Sequence, residues 1–208
     1  MEHHLVHSKT FRYEVFSKSK HPNKILYVLH GYGQLSKFFI RKFNGLGPDW
    51  LVVAPEGMHR FYLDSSHDRV GASWMTREDR ETDIRDNLSY LNAVNEEIEK
   101  TYRIDTRVLL GFSQGGATAA RWNVFSDVHF DTMILWACVY PPDLLPETAP
   151  SPSGRNIFVL GSNDRYFSRT KSEETIQFYR AMNFEIERFE GDHDIDNKTL
   201  TTLLTKST

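Results

Sequence analysis

Gly111-Phe112-Ser113-Gln114-Gly115-Gly116 follows the apolar run Arg107-Val108-Leu109-Leu110 and leads into the alanine-rich segment Ala117-Thr118-Ala119-Ala120. The pattern reads as a strand that turns sharply into a helix. A serine at such a turn takes a strained backbone with positive φ, and glycines two places before and two places after let strand and helix pass without side-chain collision. The strain pushes the hydroxyl outward. The N–H of Gln114, at the start of the new helix, then points where negative charge would develop on an attacked carbonyl. Ser113 is therefore a candidate nucleophile, and the competing reading is a structural serine in a glycine-rich turn.

Working outward, the runs Ile25-Leu26-Tyr27-Val28-Leu29, Leu51-Val52-Val53-Ala54, Val108-Leu109-Leu110, Met133-Ile134-Leu135-Trp136-Ala137 and Ile157-Phe158-Val159-Leu160 are apolar on successive residues. Strands covered on both faces read this way, so these are interior parallel strands. Thr10 to Phe16 instead alternates Phe11, Tyr13 and Val15 with Arg12 and Glu14, which suits a sheet edge with one face in water. Between the strands, Ile84, Leu88, Leu91, Val94 and Ile98 form one helical stripe. A further helix is expected from about Ser168 to Met182, a last strand at Glu185 to Phe189, and a C-terminal helix carrying Leu200, Leu203 and Leu204. The alternation predicts an α/β fold with a mainly parallel central sheet flanked by helices, whose ligands bind outside the carboxyl ends of the strands. Tyr140 to Arg155, rich in proline, reads as a long irregular loop bordering that site.

The 208 residues and formal charge of −3 suit one domain over residues 1–208, with residues 1–9 as a flexible tail. Lysines and arginines are scattered among acids, which argues against a nucleic-acid footprint. No signal peptide or spanning segment is read, so the expected compartment is the cytoplasm, without stable membrane insertion. The lone Cys138 reads as a buried packing residue, and His3, His4 and His7 as tail. His59 and His67 with Asp64 and Asp68 lack an established metal-ligand spacing, so they read as a solvated loop and no metal site is expected.

A serine nucleophile needs a base, itself oriented by a carboxylate. Only His129 and His193 follow Ser113, and His193 lies just beyond the last strand in Glu190-Gly191-Asp192-His193-Asp194. It is the expected base. Asp164, directly after Ile157 to Leu160 in Gly161-Ser162-Asn163-Asp164, is the expected acid, with Asp143 in reserve. Asp192 and Asp194 are too near His193 in sequence to orient its ring from behind. A second oxyanion donor is expected from the N–H of Tyr32 in His30-Gly31-Tyr32-Gly33, beside that of Gln114, with His30 bracing the turn.

These segments, together with Ala54-Pro55-Glu56-Gly57 and Ser73-Trp74, resemble the phospholipase/carboxylesterase family of α/β-hydrolases, which includes carboxylesterases, lysophospholipases and acyl-protein thioesterases. The likeness runs from about Ile25 to Ile195. It implies Ser113 as nucleophile, Asp164 as acid, His193 as base, and Tyr32 and Gln114 as oxyanion donors. The chain departs from the family wording at Gln34, where Asp is usual, at Asp192, where Gly is usual, and at Met75-Thr76 after Trp74.

Phe38, Phe61, Tyr62, Trp74, Tyr140 and Phe167 follow strand ends, and Trp74, Tyr140 and Phe167 are taken as candidate walls of an apolar pocket. No insertion is long enough for a helical lid, so an open site and small or medium acyl chains are expected. The reading is a serine hydrolase for a small-molecule ester or thioester, needing no cofactor, with a homodimer as one option. Its rival is a ligand-binding protein on a hydrolase scaffold that turns over slowly or not at all.

Overall fold

A computed structural model describes residues 1, 3–145 and 149–206. Its centre is a seven-stranded sheet built from β1 (Tyr13–Ser17), β2 (Lys24–Leu29), β3 (Trp50–Pro55), β6 (Thr106–Phe112), β7 (Thr132–Trp136), β8 (Arg155–Gly161) and β9 (Glu185–Phe189). The spatial order is β1-β3-β2-β6-β7-β8-β9. Only β1 runs antiparallel to its neighbour, at the edge its alternating pattern predicts. The fully apolar runs occupy interior positions because both of their faces are covered.

The faces are covered by α2 (Arg80–Glu99), α3 (Gln114–Phe125), α4 (Arg169–Ala181) and α5 (Asn197–Thr205), with a single-turn α1 (Ser36–Phe39) after β2. The stripe Ile84, Leu91, Val94 and Ile98 is the buried side of α2. α4 packs through Tyr179, whose ring stacks on Phe158 of β8 at 3.9 Å. Its hydroxyl is buried but satisfied, donating to the Cys138 carbonyl at 3.2 Å. Burial pushes the neighbouring Cys138 thiol up to about 12, so it remains an uncharged packing group.

Chain order steps from β2 to β3 on one side, then returns past β2 to β6 on the other. That reversal puts the carboxyl ends of β2 and β6 side by side, with Leu29 level with Gly111. The crevice outside such a switch point is where doubly wound sheets bind ligands. α3 enters it under tight constraint: a Cβ on Gly115 would strike the carbonyl oxygens of Leu29 and His30.

Two features depart from the sequence reading. Residues 59–73 are not a solvated loop throughout but a hairpin, β4 (His59–Tyr62) and β5 (Val70–Ser73), in a separate two-stranded sheet. Charged and aromatic residues alternate there too briefly for period-two reading to find them. His59 pairs with Asp83 of α2 at 3.0 Å and His67 lies against the Tyr62 ring. Among the described residues no group of three or more His, Cys, Asp or Glu side chains could hold a metal ion. The loop after Tyr140 contains a 3-10 turn at Pro142–Leu144, while its residues 146–148 lie outside the described set. Residues 3–9 are exposed and carry no helix or strand, although Lys9 Nζ donates to the Met58 carbonyl at 3.0 Å. Among the described residues no helix is long and apolar enough to cross a membrane.

Glu56, at the carboxyl end of β3, is only 2% exposed. Its carboxylate accepts from Arg12 Nε at 2.8 Å, Arg60 Nε at 2.8 Å and the Ser36 N–H at 3.3 Å at the start of α1. Burial by itself would raise its pKa. The donors from Arg12, Arg60 and Ser36 outweigh that and hold it below the usual glutamate range. The stabilisation is therefore present above the unfolded-state pKa and is lost as pH falls through the folded one. Both arginines are partly solvated, so Glu56→Gln should cost about 2 kcal/mol at neutral pH, with less stability lost between pH 5 and 3 than in the parent chain, as read by urea unfolding. Gly115→Ala should cost about 2–3 kcal/mol in the same assay, because the added methyl meets backbone that cannot rotate away.

Candidate active site

Ser113 stands between β6 and α3 with φ 52° and ψ −119°. Its N–H donates to the Trp136 carbonyl at 2.9 Å and its own carbonyl accepts from the Gly116 N–H at 3.0 Å, so the strained peptide is held at both ends. The side chain makes no capping bond to the helix it precedes. A Cβ on Gly111 would lie 2.6 Å from the Gly115 carbonyl oxygen and 2.7 Å from Ala119 Cβ, so the helix can cross the strand only over glycine.

Asp164 follows β8 and His193 follows β9, both at the carboxyl edge that carries Ser113. His193 Nδ1 lies 2.6 Å from Asp164 Oδ2, and the two side chains are 14% and 0% exposed. A carboxylate on Nδ1 fixes the proton there and leaves Nε2 as the acceptor. Asp164 Oδ1 accepts from the Tyr166 N–H at 2.9 Å, so the carboxylate is oriented from its other oxygen. The His193 ring sits between Phe112 at 4.8 Å and Tyr166 at 4.5 Å, centroid to centroid, directly beside the residue preceding Ser113. Trp136 Nε1 ties the loop down through the Asp194 carbonyl at 3.0 Å.

The reserve acid lies elsewhere. Asp143 accepts from Arg121 at 2.7 and 2.8 Å and from Arg80, and those bonds hold its pKa below the usual carboxylate range. His129 precedes β7, at the opposite end of the sheet, with Asp131 at 3.7 Å.

On the other flank, a Cβ on Gly31 would lie 3.2 Å from Ser113 Cβ, which brings the turn after β2 against the serine. His30 braces it. Its Nε2 accepts from the Gly57 N–H at 2.9 Å, so Nδ1 carries the proton and donates to the Gly31 carbonyl at 2.8 Å. Burial lowers its pKa to about 4, which keeps the ring neutral and preserves that pair of bonds. Trp74 Nε1 donates to the His30 carbonyl at 2.8 Å, and Gln34 Oε1 accepts from the Gly31 N–H at 2.8 Å. Among the described residues no carbonyl takes the N–H of Tyr32 or of Gln114. The Gln114 side chain points away, donating to the Met75 carbonyl at 2.9 Å and accepting from the Trp74 N–H at 3.1 Å.

The three expected pocket residues are all buried. Trp74 is fully buried behind the His30 turn, Tyr140 is buried against Tyr179 and Phe184, and Phe167 is buried as well. Each follows a strand end but turns inward, because the core still has apolar surface there to cover. A groove of about 720 Å³, lined by Gly33, Gln34, Phe38, Phe39, Leu63 and Val70 among others, adjoins the Gly31 turn through Gln34. The hairpin supplies its outer wall: the Gly33 N–H donates to the Ala72 carbonyl at 2.9 Å, and the Tyr32 ring, 61% exposed, lies 4.9 Å from Phe61. Phe38, named from the sequence, lines this groove, and Phe61 and Tyr62 lie on the hairpin; Gln34 and the strand pairing of the hairpin were missed. The only signal was that Gln34 stands where the resembling family has Asp.

The whole chain is similar in structure to esterase PE8, with TM-score 0.74 and 17% identity over 96% of this chain and all of that one. It is similar to the Bacillus cereus carboxylesterase, with TM-score 0.70 and 18% identity over 95% of each chain. Zea mays acyl-protein thioesterase 2 matches with TM-score 0.64 and 16% identity over 94% of this chain and 98% of that one. No curated protein shows a significant sequence match. These likenesses establish the α/β-hydrolase fold that the family resemblance implies, with the mainly parallel sheet that the strand pattern predicts. The serine hydrolase (FSH1) family matches over residues 18–202, a span that holds every strand of the central sheet except β1. The chain thus belongs to the serine hydrolase (FSH1) family.

Proposed function

We propose that the chain cleaves carboxylic esters, and thioesters of similar size, through Ser113 as nucleophile, His193 as base and Asp164 as the orienting acid. The observation that carries this is the 2.6 Å bond from His193 Nδ1 to a fully buried Asp164, made beside the strained turn of Ser113. In the first step His193 Nε2 takes the Ser113 proton as Oγ attacks the acyl carbon. The oxyanion is received by the N–H groups of Tyr32 and Gln114, each worth about 3 kcal/mol in such a site. Collapse breaks the bond to the alcohol or thiol, which leaves with the proton from His193, and Ser113 keeps the acyl group. Water then repeats the sequence and frees the acid. The esterase and thioesterase neighbours support the reaction class, and the open groove supports small and medium acyl chains over emulsified lipid.

A fluorophosphonate probe should label the parent chain and not Ser113→Ala, and turnover of 4-nitrophenyl acetate should fall by about 10⁴-fold or more in Ser113→Ala and His193→Ala. Asp164→Asn should lose about 10²–10⁴-fold, because the amide can leave the imidazole in the wrong tautomer. An unlabelled parent chain without turnover would overturn the proposal and favour a ligand-binding role. Across a series of nitrophenyl esters and one acyl thioester, kcat/KM should fall beyond medium chain length. A rate that keeps rising with chain length would overturn the small-substrate part.

A further inference from the structure

The groove that adjoins the Gly31 turn has a charge pattern that cleavage of a neutral ester does not use. Two of its lining residues are bonded to the segments that flank Ser113 and His193. Gln34 lines it and bonds the Gly31 N–H against Ser113, while Lys42 lines it and pairs with Asp194, the residue after His193, at 2.6 Å. Phe39 connects the two, lining the groove and stacking on Phe112 at 5.9 Å.

Lys37, Lys42 and Arg69 line the same groove against the single carboxylate of Asp68. Lys42 is satisfied by Asp194. Among the described residues Lys37 and Arg69 make no ion pair; the ammonium of Lys37 rests over the Phe38 ring at 4.8 Å, and Arg69 is exposed immediately before β5. Set against Asp68, they leave an excess of about one positive charge facing an apolar channel. That excess suits a monoanion better than a doubly charged phosphate, and a guanidinium fork matches a carboxylate's two oxygens.

We infer that this groove receives a small ester carrying a carboxylate at the end remote from the scissile bond, with Arg69 and Lys37 as the residues that select for it. The inference rests on the hydrolase reading and names its substrate class: a half-ester of a dicarboxylic acid. Arg69 and Lys37 act on specificity and take no part in bond making. Being solvated, each contributes at the scale of a surface ion pair, so the preference is moderate and salt-dependent.

The test compares 4-nitrophenyl hemiglutarate with 4-nitrophenyl valerate, near-isosteric esters that differ in the terminal carboxylate. At low salt the parent chain should show a kcat/KM ratio of about five in favour of hemiglutarate, falling toward one at about 0.5 M salt. Arg69→Ala should lower the ratio about threefold, and the double change Lys37→Glu with Arg69→Glu should lower it at least about tenfold, with folding checked by thermal unfolding. A parent ratio at or below one, or a ratio that neither variant moves, overturns the inference while leaving ester hydrolysis intact. Turnover of neither ester, with no phosphonate labelling, overturns the hydrolase reading and this inference together.

Discussion

The structure depends on one close approach, the N-terminal turn of α3 driven against the carboxyl ends of β2 and β6. With Leu29 and Gly111 level, the first turn of the helix has no space for a Cβ at residue 115 or at residue 111. The same crowding leaves Ser113 in a backbone region that costs about 1–3 kcal/mol, repaid by burial of the surrounding sheet. The strained serine and the flanking glycines are therefore one constraint seen from two sides.

A network of buried polar groups behind the site fixes what the crowding alone cannot. His30 is kept neutral and in one tautomer by burial and by the Gly57 N–H, so its Nδ1–H holds the Gly31 carbonyl. Trp74 closes the back of the same turn, and the Gln114 side chain ties down the Ser73 to Met75 segment. Glu56 anchors the edge strand, the hairpin and α1 through a single carboxylate. Each of these bonds satisfies a backbone or side-chain group that would otherwise be buried without a partner, and together they fix the conformation of the turn after β2.

On the opposite side the histidine loop is held by contacts of different kinds: a carboxylate on its ring, an indole N–H on its backbone and a lysine on Asp194. The lysine also lines the groove, so the wall that positions His193 is continuous with the surface a substrate chain would follow. The hairpin β4–β5 completes that surface from a distant part of the chain.

Much of this was legible in the residues. Unbroken apolar runs identify interior strands, alternation identifies the edge, and the order Ser113, Asp164, His193 limits the chemistry to a few candidates, because period and chain order are local properties. The fate of Trp74, Tyr140 and Phe167 was not legible: a position after a strand end does not say whether a ring faces solvent or core, and that depends on which neighbours leave apolar surface uncovered. The hairpin escaped for a related reason, since strands of four residues carry too few alternations to stand out. By itself the sequence determined the sheet, its helices and the glycine-flanked serine, whose causes act over a few residues. Only the tertiary structure decided that Gln34, Lys42 and Arg69 share a groove that adjoins the Gly31 turn, because that neighbourhood arises from the crossing of β2 past β6 and the folding back of the hairpin, which no local pattern encodes.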